Sequence, residues 1–212
     1  MSESLTPEQI EALFTRSDGR FVFARWGRPI VPIVFGVEDK TLEVVKGAFE
    51  AVCVLSGHKM AETDPELGAN CMVFFFRDWG ELLELPDLGR MIDGLAQTVD
   101  RLKAEDANQY RHFRFDPDGS IKAAFVFLRM DDALLAMEAE TLALGQVVQT
   151  ILLWSDRAFR DNAPLGRLNG GQVILRPEIA EVIRAAYDAS LPVAASEASF
   201  AYRLFARVVS RS

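Results

Sequence analysis

The chain has 212 residues, half of them apolar, a quarter charged and a tenth aromatic, a composition that suits one ordinary globular domain. Lys and Arg number 23 against 31 Asp and Glu, a formal charge of −8. That balance argues against a phosphate-tracking surface, which needs a basic excess to displace counterions. No apolar run reaches the roughly 18–20 residues of a membrane span. Met1-Ser2-Glu3-Ser4 has neither the basic end nor the apolar stretch of a secretion signal. A soluble, cytoplasmic protein of bacterial type is expected, with no nucleic-acid or membrane partner. Cys53 and Cys71 do not make a disulfide scaffold.

Helix and strand signals alternate along the chain. Thr6-Pro7-Glu8-Gln9 opens the first helix, with Thr6 as N-cap, Pro7 in the first turn and Gln9 as the capping-box partner. Phe21 to Trp26 reads as a strand and Ile30 to Phe35 as a second, where Pro32 argues for an edge position or a bulge. Leu42, Val45, Phe49, Val52 and Cys53 recur at helical spacing up to a stop at Gly57. Asn70 to Phe76 is a buried strand, and Pro86 to Asp106 a helix. Tyr110 to Phe115, the turn Asp116-Pro117-Asp118-Gly119 and Ile121 to Arg129 form a hairpin.

Asp131 caps a helix expected to run to about Trp154, apolar around most of its circumference and so central to the domain. Ser155 to Gly171 reads as a long polar loop. Helices from Pro177 to Asp188 and from Ser196 to Val209 close the chain. The fold class is therefore α+β: a mixed β-sheet with packed helices, a central buried helix and a helical C-terminal part. One domain spans 1–212, with the sheet and central helix in 1–154 and the loop and helical part in 155–212.

Chemistry-bearing residues are sparse. Zinc needs three or four close ligands, whereas the two histidines, His58 and His112, lie far apart in sequence. His58, near Glu62 and Asp64, reads as a surface-loop residue. His112 alternates with Arg111 and Arg114 on a solvated hairpin face. Cys53 and Cys71 read as small apolar fillers. Gly166-Arg167-Leu168-Asn169-Gly170-Gly171 lacks the lysine and spacing of a phosphate loop and reads as a turn. Arg157, Arg160, Arg167 and Arg176 could receive an anion, but Asp156 and Asp161 interleave with them. Glu138 and Glu140, two apart on a helix, point to different sides. Arg25-Trp26-Gly27-Arg28 is either a recognition edge or a strand end packing its Trp on the core.

Four segments together resemble a bacterial family of uncharacterised domains with a metzincin-like zinc-peptidase fold. Phe23-Ala24-Arg25-Trp26-Gly27-Arg28-Pro29-Ile30 is similar to the family's opening strand, and Ala69-Asn70-Cys71-Met72-Val73-Phe74-Phe75 to the Ala-Asn strand after its first long helix. Leu152-Leu153-Trp154-Ser155-Asp156 falls where the active-site helix would end. Ile179 to Asp188 with Leu191-Pro192 is similar to the closing helix and its exit. The resemblance implies a helix carrying His-Glu-x-x-His, whose i and i+4 histidines grip one metal while the glutamate polarises the bound water. The matching register here is Gly145-Gln146-Val147-Val148-Gln149. Both histidines are missing, and Gln146 stands where the catalytic glutamate would be. The resemblance thus implies a scaffold emptied of its metal.

Gln146 and Gln149 need hydrogen-bond partners on a mostly buried helix. They either line a remnant cleft for a peptide or small molecule, or satisfy an internal polar contact or solvent. The expected function is a non-catalytic binding or interaction domain without metal or cofactor, taking an unknown protein or peptide. Its cleft candidates are Gln146, Gln149, Asp156, Arg157, Arg25 and Trp26. The alternative is an enzyme with a carboxylate/arginine site near the loop, built from Glu138, Glu140, Asp156 and Arg157. A third reading is a homo-oligomer held through the apolar tail Phe200 to Val209.

Overall fold

The computed structural model describes residues 5–211; the Met1–Ser4 start lies outside them. The chain opens with α1 (Pro7–Phe14), entered through the expected box: the Thr6 hydroxyl accepts from the Gln9 amide, and the Gln9 side chain accepts from the Thr6 amide. β1 (Phe23–Ala24), β2 (Pro32–Phe35) and α2 (Asp39–Ser56) follow, α2 stopping at Gly57 in the left-handed region. After β3 (Cys71–Phe76) come three short helices, α3 (Glu81–Glu84), α4 (Leu88–Met91) and α5 (Leu95–Ala104). The hairpin is β4 (Gln109–Phe115) with β5 (Ile121–Arg129). Next are α6 (Asp132–Leu135), α7 (Ala139–Thr150), the small hairpin β6 (Leu165–Arg167) and β7 (Val173–Leu175), α8 (Pro177–Ala186), β8 (Ala194–Ala195) and α9 (Phe200–Arg211).

The main sheet has the order β2-β3-β5-β4, with β2, β3 and β5 parallel and β4 antiparallel at one edge. This is the α+β architecture read from the sequence. Pro32 does lie in an edge strand, where its missing N–H costs no ladder bond. Side-chain alternation divides the core between the sheet's two faces. Cys71, Val73, Ala124, Val126 and Leu128 face the larger cluster with α1, α2, α7, α8 and α9. Phe76, Phe125 and Phe127 face the smaller one, where Trp79, Leu82, Leu88, Ile92, Val99 and Leu102 of the α3–α5 segment cover them. The tail helix α9 docks on α1 and α8, burying Phe200, Leu204 and Val208 and leaving Tyr202 and Val209 exposed.

Several boundaries differ from the sequence reading. The single helix expected from Asp131 to Trp154 is two helices and an extended exit. Asp131 does cap α6, accepting from the Leu134 amide, but the chain breaks at 136–138. The break turns Leu134 and Leu142 into the core and leaves Leu135 and Met137 outside. Ile151 to Trp154 is buried, and the chain leaves the helix after Ile151 because the backbone beyond it is used by the first strand: Leu152 bridges Arg25, and Leu153 N–H donates to the Ala24 carbonyl at 2.9 Å. The helix expected from Pro86 to Asp106 is divided by Gly94, at φ +67. The strand expected over Phe21 to Trp26 is continuous only at Phe23–Ala24. The Ser155–Gly171 loop contains β6, closed against β7 by a turn in which Gly171 N–H donates to Leu168 O at 2.8 Å.

Two glycines separate backbone necessity from mere occupancy. Gly36 ends β2 at φ +82, where an added Cβ would stand 2.0 Å from the Phe75 carbonyl oxygen. Gly47 is exposed within α2 and an added Cβ there meets nothing within 4 Å. Urea denaturation should show Gly36→Ala destabilised by at least about 2 kcal/mol, and Gly47→Ala stabilised by about 0.5–1 kcal/mol. Equal effects would contradict this register of β2 on β3.

Candidate functional site

The arrangement richest in unbalanced polarity lies where α7 meets the edge strand β4. Along β4, Tyr110 and His112 turn toward the smaller core cluster, where Tyr110 stacks on Phe127 and the His112 ring lies 6.1 Å from that of Phe125. Gln109, Arg111 and Phe113 take the opposite parity and face α7. The Arg111 Nη2 donates to Gln109 Oε1 at 2.9 Å and also to Gln146 Oε1. Gln146 Nε2 closes the triangle by donating to Gln109 Oε1 at 3.3 Å. Gln149, one turn on, donates to the Gly145 carbonyl at 3.2 Å.

Gln109, Gln146 and Gln149 line a cleft of about 320 Å³, with Leu165, Gly166 and Arg167 of the β6–β7 hairpin across from them, and Arg111 sits behind that wall, bonded to Gln109 and Gln146. It shares Leu134, Met137 and Leu142 with a second cavity of about 520 Å³ that opens beyond the ends of β2 and β3, so the two meet around α6 and α7. Burial pushes the Arg111 guanidinium down from its ordinary value to about 10, still charged at neutral pH. Its Nε is shielded from solvent and has no hydrogen-bond partner.

The six expected cleft residues do not converge. Gln146 and Gln149 line the α7 cleft, and Gln146 also makes the internal contact that was its alternative reading. Arg157 borders a different cavity of about 620 Å³ between α1 and α8. Asp156 is exposed beside it, accepting from the Ser17 amide at 2.9 Å and pairing with Arg160 at 3.7 Å. Trp26 is a correction: it is fully buried and donates its indole N–H to the Thr150 carbonyl at 2.9 Å, which ties the first strand to the end of α7. Arg25 packs over the Tyr187 ring at 5.4 Å and donates to the Leu191 carbonyl at 3.3 Å. Glu138 and Glu140 are exposed at the start of α7, at a distance along the chain from Asp156 and Arg157, and share no cavity with them.

Arg111 is the residue that sequence reasoning misplaced, since it lies inside and not on a solvated face. The usable signal was parity: Phe113, two positions on, marks the inner side of the strand. Both histidines are also more enclosed than expected. His58 packs on Tyr187 at 5.0 Å with its Nε2 2.7 Å from the Arg28 carbonyl oxygen, and burial pulls its pKa below the usual value. Burial and the nearby Arg114 do the same for His112.

Among the described residues a zinc ion finds no fitting donor set. His58 belongs to the larger-core side of the sheet and His112 to the other, so the sheet stands between them. On α7, a Cβ added at Gly145 would touch the Leu165 side chain at 3.6 Å. Among the described residues no group of three His, Cys, Asp or Glu is placed to hold a metal ion. Cys53 and Cys71 are buried and free, and burial pushes the Cys53 thiol up to about 11, so neither is poised as a nucleophile. No helix among the described residues is long and apolar enough to cross a membrane. The chain matches no protein-family model, no curated protein and no solved structure.

The enclosed histidines set a pH dependence. Below about pH 6.5 the unfolded chain binds protons that the folded chain, with both histidine pKa values lowered, resists. Stability should therefore fall between pH 7.5 and 5.5, read as a lower urea midpoint. The His58→Gln/His112→Gln double variant should show a smaller drop over the same interval, and an unchanged drop would refute the assignment.

Proposed function

We propose that this protein is a non-catalytic binding domain on a zinc-peptidase-like scaffold emptied of its metal, and that it takes a peptide in the cleft between β4, α7 and the β6–β7 hairpin. The observation that carries the reading is Gln146. It stands at the position where the resembling family has its catalytic glutamate, and it is spent on a buried contact to Gln109 and Arg111 at the cleft wall. An amide there neither abstracts a proton nor polarises water. What the cleft does offer is recognition. β4 is an edge strand with no strand paired to its outer side among the described residues, and such an edge can accept an added peptide strand through main-chain hydrogen bonds. Apolar Leu134, Met137, Leu142 and Val173 supply contact surface beside it.

The purified protein should carry no stoichiometric zinc by elemental analysis and show no chelator-sensitive peptidase activity. A mixed hexapeptide library should nevertheless shift the side-chain amide NMR signals of Gln146 and Gln149. Tightly bound zinc with chelator-sensitive proteolysis would defeat this reading.

A further inference from the structure

The α7 cleft is electrostatically incomplete. A guanidinium taken out of water is costly unless a carboxylate pairs with it, and Arg28 and Arg129 are paired in that way. Arg28 is held by Asp116 at 2.8 Å, and Arg129 by Asp106 at 2.7 Å. Arg111 differs. Its hydrogen-bond partners are two neutral amides, no ion pair reaches it among the described residues, and its Nε has no partner. None of the residues lining the adjoining cleft is Asp or Glu, although the chain has 31 of them, and Arg167 places a cation on its wall. The other arginine with a partnerless Nε, Arg25, is covered by Tyr187 and donates to the Leu191 carbonyl, and neither of those residues lines any of the three cavities, whereas both partners of Arg111 line the α7 cleft.

We propose that the cleft between β4, α7 and the β6–β7 hairpin binds a carboxylate group, with Gln146 and Gln149 of the wall as hydrogen-bond donors and Arg111, held behind the wall by Gln109 and Gln146, as its charge partner. The proposal rests on the reading of this cleft as a peptide site and names what on the peptide is recognised. The amide nitrogens of Gln146 and Gln149 each make one hydrogen bond within the protein, leaving a second hydrogen to donate. A carboxylate accepts such donors on both oxygens and supplies the negative charge that the enclosed guanidinium lacks. On a peptide it comes from either the chain terminus or an Asp or Glu side chain.

The test uses the full-length protein and three synthetic hexapeptide pools, with Kd measured by NMR titration at fixed ionic strength. One pool is neutral and blocked at both ends, one is neutral with a free C-terminal carboxylate, and one is blocked with a single Glu. At least one carboxylate pool should bind about ten-fold or more tighter than the neutral pool, and which one does so identifies the source. Arg111→Gln should bring that pool to the neutral pool's affinity. Gln146→Glu provides an independent check that keeps Arg111 in place. An internal carboxylate beside Arg111 should raise the Tm and abolish the preference by occupying the guanidinium. Equal binding by all pools, or a preference that survives Gln146→Glu, overturns the carboxylate assignment while the cleft stands as a peptide site. Binding by none of the pools removes both.

Discussion

The pairing of β4 with β5 is the constraint on which the site depends. β5 is buried on both faces: Ala124, Val126 and Leu128 lie on one side, and Phe125 and Phe127 on the other. A strand so enclosed fixes its register, because a one-residue slip would exchange the two cores. β4 inherits that register through pairs such as Arg111↔Val126 and His112↔Phe125. Arg111 thereby shares the side of Val126 and meets α7, and His112 shares the side of Phe125. The enclosure of a guanidinium follows from sheet geometry and has no need of any sequence motif.

The opposite wall of the cleft is held by a set of buried polar links. Trp26 donates to the Thr150 carbonyl, and the Tyr187 hydroxyl to the Ile151 carbonyl at 2.8 Å. Trp154 donates to the Val148 carbonyl at 2.8 Å. These satisfy carbonyls at the C-terminal end of α7 that a helix leaves without intrahelical partners. They also anchor the helix to β1 and α8. At the hairpin turn, Arg28 forms a two-bond contact with Asp116, whose carboxyl it holds below the usual carboxylate range. Gln146 is thus presented by a helix pinned at its end, against a strand whose register is fixed. A binding wall needs this kind of rigidity.

Much of the fold was legible in local chemistry. The Thr6 capping box, the stop at Gly57, the Asp116–Gly119 turn and the aromatic run of β3 each carry their structural instruction within a few residues. The failures have long-range causes. The broken α6–α7 segment contains no proline and its break no glycine, and its extended end is decided by backbone pairing with β1, more than a hundred residues earlier. Gly94 was overlooked because the apolar spacing on either side of it continues.

At the site, Gln146 and Gln149 were identifiable from the resemblance alone, as positions where a metal-binding pattern is absent. Arg111 was not, because a strand of Gln-Tyr-Arg-His-Phe-Arg-Phe looks polar on both sides until its partners are known. Asp156 and Arg157 were drawn in by adjacency to a polar loop, but the chain turns at Ser155 toward α1 and carries them away from α7.

Arg111 is an enclosed charge with no counter-charge among the described residues, bonded to two amides that line a cleft able to supply one. A crystal structure of the full-length protein grown with N-acetylglutamate tests this most directly. The account predicts a carboxylate in the α7 cleft, with Arg111 still bonded to Gln146 or turned onto the ligand. An Asp or Glu of the protein itself paired with Arg111, and the cleft filled by that side chain, would contradict it.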